Sequence, residues 1–183
     1  MENIKVLSNQ KIIKYLLTIF LGSLLLTISA KIKIPFYPVP MTMQTFVVVL
    51  MGVTFGWKIG VATISLYLFE GIIGFPVFAG TPEKGLGLIY FIGPTMGYLI
   101  GFLFAAFLAG YLNLKTNIFL IFLKLILSVS IIYILGILWL GALIGWDKPI
   151  FELGVMPFLI AEIFKITLLT VVAKKILILR KFI

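Results

Sequence analysis

Apolar runs of membrane length recur along this chain and constrain its fold more than any other feature. The clearest is Ile118–Ile144, which contains a single charged residue, Lys124. A helix needs roughly 20 apolar residues to cross a bilayer. With 62% hydrophobic and 11% charged residues, and a mean hydropathy of +1.25, the 183 residues have too little polar surface for a soluble domain. The sequence therefore predicts a multi-pass membrane protein.

We predict an all-α fold, a single six-helix transmembrane domain that covers residues 1–183. Short connections at Trp57-Lys58 and Asn113–Asn117 alternate with longer ones that contain Pro and Gly. The predicted spans are residues 12–30, 41–55, 59–73, 94–112, 118–144 and 155–172.

The basic residues predict how these spans are oriented. Lys and Arg are enriched in the cytoplasmic segments of membrane proteins, so the richer side is expected to be the cytoplasmic one. With both termini inside, the inner segments hold Lys5, Lys11, Lys14, Lys58, Lys115, Lys174, Lys175, Arg180 and Lys181, and the outer loops hold Lys31, Lys33, Lys84 and Lys148. We therefore expect both termini in the cytoplasm of a protein of the cell membrane.

Several function classes are excluded by what the sequence lacks. Without Cys or His there are no thiolate or imidazole metal ligands, no disulfides, and no Ser-His or Cys-His catalysis. No G-x-x-x-x-G-K-[ST] motif occurs, so the chain itself does not hydrolyse ATP. The net charge of +9 comes from basic residues at segment ends, which are topology signals and not a nucleic-acid footprint. We expect no cofactor.

Glu162 and Lys165 lie three residues apart inside the last predicted span, so both lie on one helix face. Ionisable groups at such a depth are costly and often mark a ligand or ion path. The alternative is a mutually neutralised pair that only packs the bundle. The sequence leaves both open.

Polar residues in four predicted spans share one depth in the outer half of the membrane, namely Gln44, Glu70, Tyr98 and Glu162. This convergence predicts a pocket that opens outward. A channel or scaffold stays a weaker alternative, because a channel should carry polar residues along its full length. An intramembrane enzyme is disfavoured, since no nucleophile–base pair is available.

Two outer loops could cover such a pocket. In residues 34–40 three prolines block a helix and predict a stiff extended cap. Residues 75–87 predict a lid without regular structure, in which Phe75 and Phe78 supply flat apolar faces and Gly87 permits close approach. The alternative is an interfacial loop whose aromatic residues anchor it among the lipid headgroups.

Three motifs occur in order along the chain. Val39–Gln44 fits V-P-x-T-x-Q, Gly74–Gly80 fits G-x-P-V-F-A-G, and Gly93–Gly101 fits G-P-T-G-G-Y-L-x-G with one change. With the pair in the last span, they resemble the BioY family, the biotin-specific S components of energy-coupling factor (ECF) transporters. The resemblance is strong over about residues 35–110 and weaker in the last span, where Ile160-Ala161 replace the family's Pro-Gly and Glu162 replaces Asp.

The resemblance implies a six-helix protein that binds biotin from outside and docks on a transmembrane T subunit with two cytoplasmic ATPases. It implies a ligand site lined by Glu162 and Lys165. To these we add as candidate ligand residues the polar and loop residues Thr42, Gln44, Glu70, Phe75, Phe78, Gly87, Thr95 and Tyr98. The resemblance also implies a small-residue surface on the first span for the T subunit, with Gly22, Ser23 and Thr27 as candidates.

The chemistry of biotin fits the predicted residues. Its ureido ring offers two N–H donors and one carbonyl, and its tail carries a carboxylate. Glu162 would accept a ureido N–H, Gln44 could donate or accept, and Tyr98 could stack or donate. Lys165 could bind the ureido oxygen or the tail carboxylate, and another vitamin or small heterocycle stays an alternative ligand.

Overall fold

Helices and one short β-hairpin make up the secondary structure in a computed structural model that describes residues 2–80, 85 and 87–182. Three further segments are 3-10 helices, at Gly87–Ile92, Met156–Phe158 and Leu177–Phe182. The α-helices and strands are α1 (Glu2–Lys31), β1 (Lys33–Ile34), β2 (Met41–Thr42), α2 (Gln44–Phe55), α3 (Trp57–Ile72), α4 (Met96–Tyr111), α5 (Ile118–Ile144), α6 (Ile150–Gly154) and α7 (Leu159–Ile176).

The β-hairpin connects α1 to α2 and marks one end of the bundle, called the hairpin end below. Its strands pair antiparallel, with Lys33 opposite Thr42 and Ile34 opposite Met41. The expected extended cap of residues 34–40 is therefore the tip of a hairpin. Met41 and Thr42 belong to this hairpin, so the prediction that a helix begins at residue 41 was wrong. Pairing with β1 provides hydrogen-bond partners for the backbone N–H and C=O groups of Met41 and Thr42, so these residues do not need a helix to satisfy them.

The turn between α2 and α3 is tighter than predicted. Trp57 and Lys58, which we expected in the connection, lie in the first turn of α3, and Gly56 alone separates the two helices. Gly56 has a φ of +82°, which favours glycine. Gly110 of α4 packs against this turn so closely that a Cβ at residue 110 would lie 2.3 Å from the backbone nitrogen of Trp57.

Two other segments differ from the prediction. The last long helix begins at Leu159, not near residue 155, because α6 and a 3-10 turn that contains Pro157 precede it. Residues 87–92, predicted to lack regular structure, form a 3-10 helix. Part of the expected lid, residues 81–84 and 86, lies outside the described residues.

Three helical segments of the described chain are long and apolar enough to cross a membrane: Asn9–Lys31, Ile118–Ile144 and Ile150–Arg180. The apolar helices α2 and α4 are shorter. With 12 residues, α2 is about 18 Å long at 1.5 Å per residue. α2 lies at the centre of the packing and contributes to two buried clusters, Val48 and Met51 to one and Val49 and Val53 to the other.

α1 buries one face against α2 and α3. Gly22 and Ser23, expected on a partner surface, lie on this buried face. A Cβ at residue 22 would lie 2.5 Å from Met51 Cε and 2.7 Å from Thr63 Cγ2, and the Ser23 hydroxyl donates to Glu70. Neither residue is accessible to another protein, and half-buried Thr27 bonds back to the Ser23 carbonyl. The surface predicted at Gly22 and Ser23 is thus corrected to an internal helix contact.

Candidate ligand-binding site

A cavity lies at the hairpin end of the bundle, among β2, α2, α4, α5 and α7. The space between its walls, including the part that is open to solvent, is about 520 Å³. Few polar groups interrupt a mostly apolar wall, which is typical of small-molecule pockets. The polar members of the wall are Thr42, Gln44, Thr45, Thr95 and Glu162, and the aromatic members are Phe78, Tyr90, Tyr98, Phe102, Tyr133 and Phe158.

Glu162 of α7 contributes a buried carboxylate to the wall, with 5% of the residue exposed. Its Oε1 accepts hydrogen bonds from Thr45 Oγ1 and Lys165 Nζ, both at 2.7 Å. Its Oε2 is buried and has no hydrogen-bond partner among the residues that the structure describes. A buried polar atom without a partner costs ~1–3 kcal/mol. A ligand with a hydrogen-bond donor would remove this cost, as would a small shift of the neighbouring Tyr133 hydroxyl toward Glu162.

Lys165 holds the carboxylate but does not line the cavity. Its Nζ donates to the Thr42 carbonyl at 2.6 Å, to Thr45 Oγ1 at 3.0 Å and to Glu162 Oε1 at 2.7 Å. An ammonium has three donors, and three acceptors already occupy them. Lys165 therefore orients Glu162 and ties α7 to the start of α2, and it has no remaining donor for a ligand in this arrangement.

Gln44 lies in the wall at the first turn of α2. Its Nε2 donates to Tyr67 Oη at 2.6 Å, and Tyr67 Oη in turn donates to the Val77 carbonyl at 3.1 Å. The Thr42 hydroxyl donates to Gln44 Oε1 at 3.2 Å. The amide is thus held in one orientation by α3 and by the hairpin.

Tyr98 presents its ring to the cavity, while its hydroxyl is occupied. The hydroxyl donates to the Gly154 carbonyl at the end of α6, at 2.8 Å. The ring packs edge-on against Tyr133, with centroids 6.0 Å apart. Gly136 leaves room for this ring, since a Cβ there would lie 2.3 Å from Tyr98 Cε1. Of the two roles expected for Tyr98, stacking and donating, this geometry leaves stacking.

Residues 74–80, called the strap below, bring Phe78 into the wall. Phe78 stacks on Tyr90 with centroids 4.6 Å apart and packs edge-on against Tyr67. Lys31 Nζ donates to the carbonyls of Pro76 and Phe78 at 2.6 and 2.7 Å. Burial raises the pKa of the Tyr90 phenol above its ordinary value, so this ring stays neutral beside the strap.

Three of the other predicted site residues lie away from the cavity. Glu70 accepts the hydrogen bond from Ser23 on the side of α3 that faces α1. Phe75 is 56% exposed at the surface of the strap. Gly87, with a φ of +66°, packs under the Ile72 carbonyl at the end of α3. These residues are not in the wall, whereas Thr95 is.

The sequence analysis missed several members of the wall, chiefly Thr45, Tyr90, Tyr133 and Phe158. Tyr133 could have been found, because a phenol in the middle of an apolar span is unusual enough to suggest a role. Thr45 directly follows Gln44 but meets α7, which only the three-dimensional packing reveals.

The fold and this cavity define a class: a helical membrane protein with a cavity at one end of the bundle. A family model described as the BioY family matches residues 2–181. The chain belongs to the BioY family.

Individual relatives agree with this assignment. The chain is 36% identical to the probable biotin transporter BioY of Pyrococcus horikoshii, over 83% of this chain and 89% of that one. It is 34% identical to the biotin transporter BioY of Thermotoga maritima, with the same two coverages. It also superimposes on a crystal structure of the S-component for biotin from an ECF-type ABC transporter, with a TM-score of 0.76 and 26% identity, over 91% of this chain and 92% of that one.

Proposed function

We propose that this chain binds biotin and mediates its uptake across the cell membrane as the substrate-specific S component of an ECF-type transporter. It is a transport subunit and not an enzyme. The observation that carries the proposal is the buried Oε2 of Glu162, an acceptor without a donor among the described residues, in the wall of an aromatic cavity of a BioY-family chain.

The ring system of biotin offers a hydrogen-bond donor for Glu162 Oε2 and an apolar surface for the aromatic side chains of the cavity wall. One ring N–H donates to Glu162 Oε2, whose position is fixed by the two hydrogen bonds on the other oxygen. The apolar bicyclic ring lies among the faces of Phe78, Tyr98 and Tyr133. A rigid acceptor loses little freedom on binding, so the hydrogen bond contributes more to affinity.

Other wall residues take supporting roles in this proposal. Thr42, Gln44 and Thr95 supply polar contacts around the ring, and Lys165 acts as a positioning residue that holds Glu162. The ligand roles expected for Glu70, Phe75 and Gly87 are not part of the proposal, because none of these residues lines the cavity. Glu70 bonds to Ser23 of α1, Phe75 lies at the surface of the strap, and Gly87 packs at the end of α3.

The proposal includes a topology and partners. Six helices cross the membrane with both termini in the cytoplasm, and the cavity lies in the outer half. Because the sequence has no ATP-binding motif, concentrative uptake uses a separate T subunit and two ATPases, as the ECF class implies.

A second candidate ligand is another vitamin or small heterocycle with an N–H donor. The acceptor at Glu162 supports it, because a carboxylate oxygen accepts from any such donor. The aromatic wall does not distinguish between these ligands either, because its rings can pack against any flat heterocycle.

A titration of the detergent-solubilised protein tests the proposal. We expect saturable binding of biotin by calorimetry and no binding of riboflavin or thiamine, whose rings differ in shape and donor pattern. Binding of another vitamin without binding of biotin would contradict the proposal and favour the second candidate.

A further inference from the structure

A groove on the surface of the hairpin end adjoins the cavity. The groove runs between the hairpin tip and the segment before α4, and its space, including the part that is open to solvent, is about 800 Å³. It shares Pro40, Ala79, Tyr90 and Thr95 with the wall of the cavity. The two therefore share a wall, and the tail of a ligand whose ring is bound at Glu162 would pass this wall to reach the groove.

Lys33 is the charged residue of the groove wall within the described part of the chain. It lies on β1, opposite Thr42, so the hairpin pairing fixes its backbone beside the cavity. Its Nζ donates to the Ala79 carbonyl, a residue shared by cavity and groove. An ammonium has three donors. Among the described residues, the Ala79 carbonyl is the one acceptor that Lys33 Nζ contacts, so two of its donors are left for a ligand.

Lys165, another cation near the cavity, is unsuited to a carboxylate tail. Its three donors are already occupied, one of them by Glu162. A second carboxylate beside Glu162 would also be repelled by it. Within the described part of the chain, Lys33 has donors left for a carboxylate, whereas the three donors of Lys165 are occupied.

We propose that Lys33 binds the terminal carboxylate of the ligand in this groove and so selects for molecules with an anionic tail. This inference rests on the proposed function, because it takes the ring of biotin to be bound at Glu162. Lys33 is exposed to solvent, so the contact is a charge-assisted hydrogen bond of modest strength that salt weakens.

The test compares biotin with biotin amide, in which a neutral amide replaces the carboxylate. The variants are Lys33→Gln and, as a matched control, Lys31→Gln. Lys31 also holds the strap, through the carbonyls of Pro76 and Phe78, but does not line the groove. A purely structural effect on the strap would change the affinities for both ligands alike and leave their ratio unchanged.

We expect the wild-type protein to bind biotin roughly two- to fivefold more tightly than the amide, as for a solvent-exposed charge contact. Lys33→Gln should bind the two ligands equally, whereas Lys31→Gln, which removes a cation near Lys33 but not the groove contact, should keep most of the wild-type ratio. Added salt should weaken wild-type binding of biotin but not of the amide.

Tight binding of both ligands by the wild-type protein without a preference would overturn the inference. So would a preference that survives in Lys33→Gln, or one that is lost to the same extent in both variants, since the latter would not assign the carboxylate to Lys33. If the wild-type protein binds neither ligand, the proposed function itself is contradicted, and this inference falls with it.

Discussion

Glu162 combines a fixed carboxylate with a free acceptor. Lys165 and Thr45 hold Oε1, while Oε2 has no partner among the described residues. The sequence left open a neutralised pair and a ligand-binding pair. Lys165 neutralises and orients the carboxylate, and under the proposed function the other oxygen of Glu162 accepts a hydrogen bond from the ligand.

Removing the ammonium of Lys165 should lower the stability of the fold. In Lys165→Met, Glu162 loses its partner, and breaking a buried ion pair costs ~3–5 kcal/mol. The double variant Glu162→Gln/Lys165→Met should recover most of this stability and fail to bind biotin. Thermal unfolding and calorimetric titration of the wild type, both single variants and the double variant measure the two effects. A stable double variant with wild-type affinity would show that the pair only packs the bundle.

The sequence predicted this pair because a spacing of three residues places both groups on one helix face. It could not predict that the Thr42 carbonyl and the Thr45 hydroxyl would occupy Lys165. These atoms come from residues 123 and 120 positions earlier, and only the packing of α2 against α7 brings them together. We expected Lys165 to contact the ligand directly because the sequence does not show that its three donors are occupied by other residues.

At the scale of elements, the C-terminal 3-10 segment returns to the ends of α2 and α4. Arg180 Nε donates to the Val53 carbonyl at 2.8 Å, and Nη2 donates to the carbonyls of Gly52 and Gly110 at 3.1 and 3.2 Å. Carbonyls at helix C-termini carry partial negative charge, which a guanidinium complements. Arg180 thus ties three elements together at the end of the bundle opposite the hairpin.

Arg180→Met should lower the thermal stability and leave the affinity for biotin unchanged, because the cavity lies at the other end of the bundle. Loss of hydrogen bonds from a charged donor costs ~1.5–3 kcal/mol. Thermal unfolding beside a biotin titration measures this, with Lys175→Met as the control, since Lys175 is exposed in the last turn of α7. Normal stability with lost binding would contradict this role for Arg180.

Long uniform elements were predictable, and short irregular ones were not. The bounds of α5 agree with the prediction at both ends, because apolar residues continue between Asn117, which caps the helix, and Gly145. The hairpin at Lys33–Thr42 was missed, since two-residue strands carry almost no periodicity. The turn at Gly56 was misplaced by about one to two residues, which is common for helix ends.

At the scale of the whole molecule, the basic residues predict which end faces the cytoplasm. Cysteine labelling can test this because the native chain has no Cys. A thiol in Tyr37→Cys, where Tyr37 is 88% exposed at the hairpin tip, should react with an impermeant reagent added outside intact cells. A thiol in Lys115→Cys, between α4 and α5, should react only after the cells are opened. The reverse pattern would contradict the topology.

The affinity of Glu162→Gln for biotin, measured by calorimetry beside that of Glu70→Gln, tests the central claim most directly. Glu70 is a matched control, because it is a second carboxylate within the helices but lies outside the cavity and is bonded to Ser23. The amide introduced by Glu162→Gln would present a donor to the ureido N–H, so affinity should fall by roughly one to two decades, whereas Glu70→Gln should bind like the wild type. Wild-type affinity in a folded Glu162→Gln variant would contradict the account.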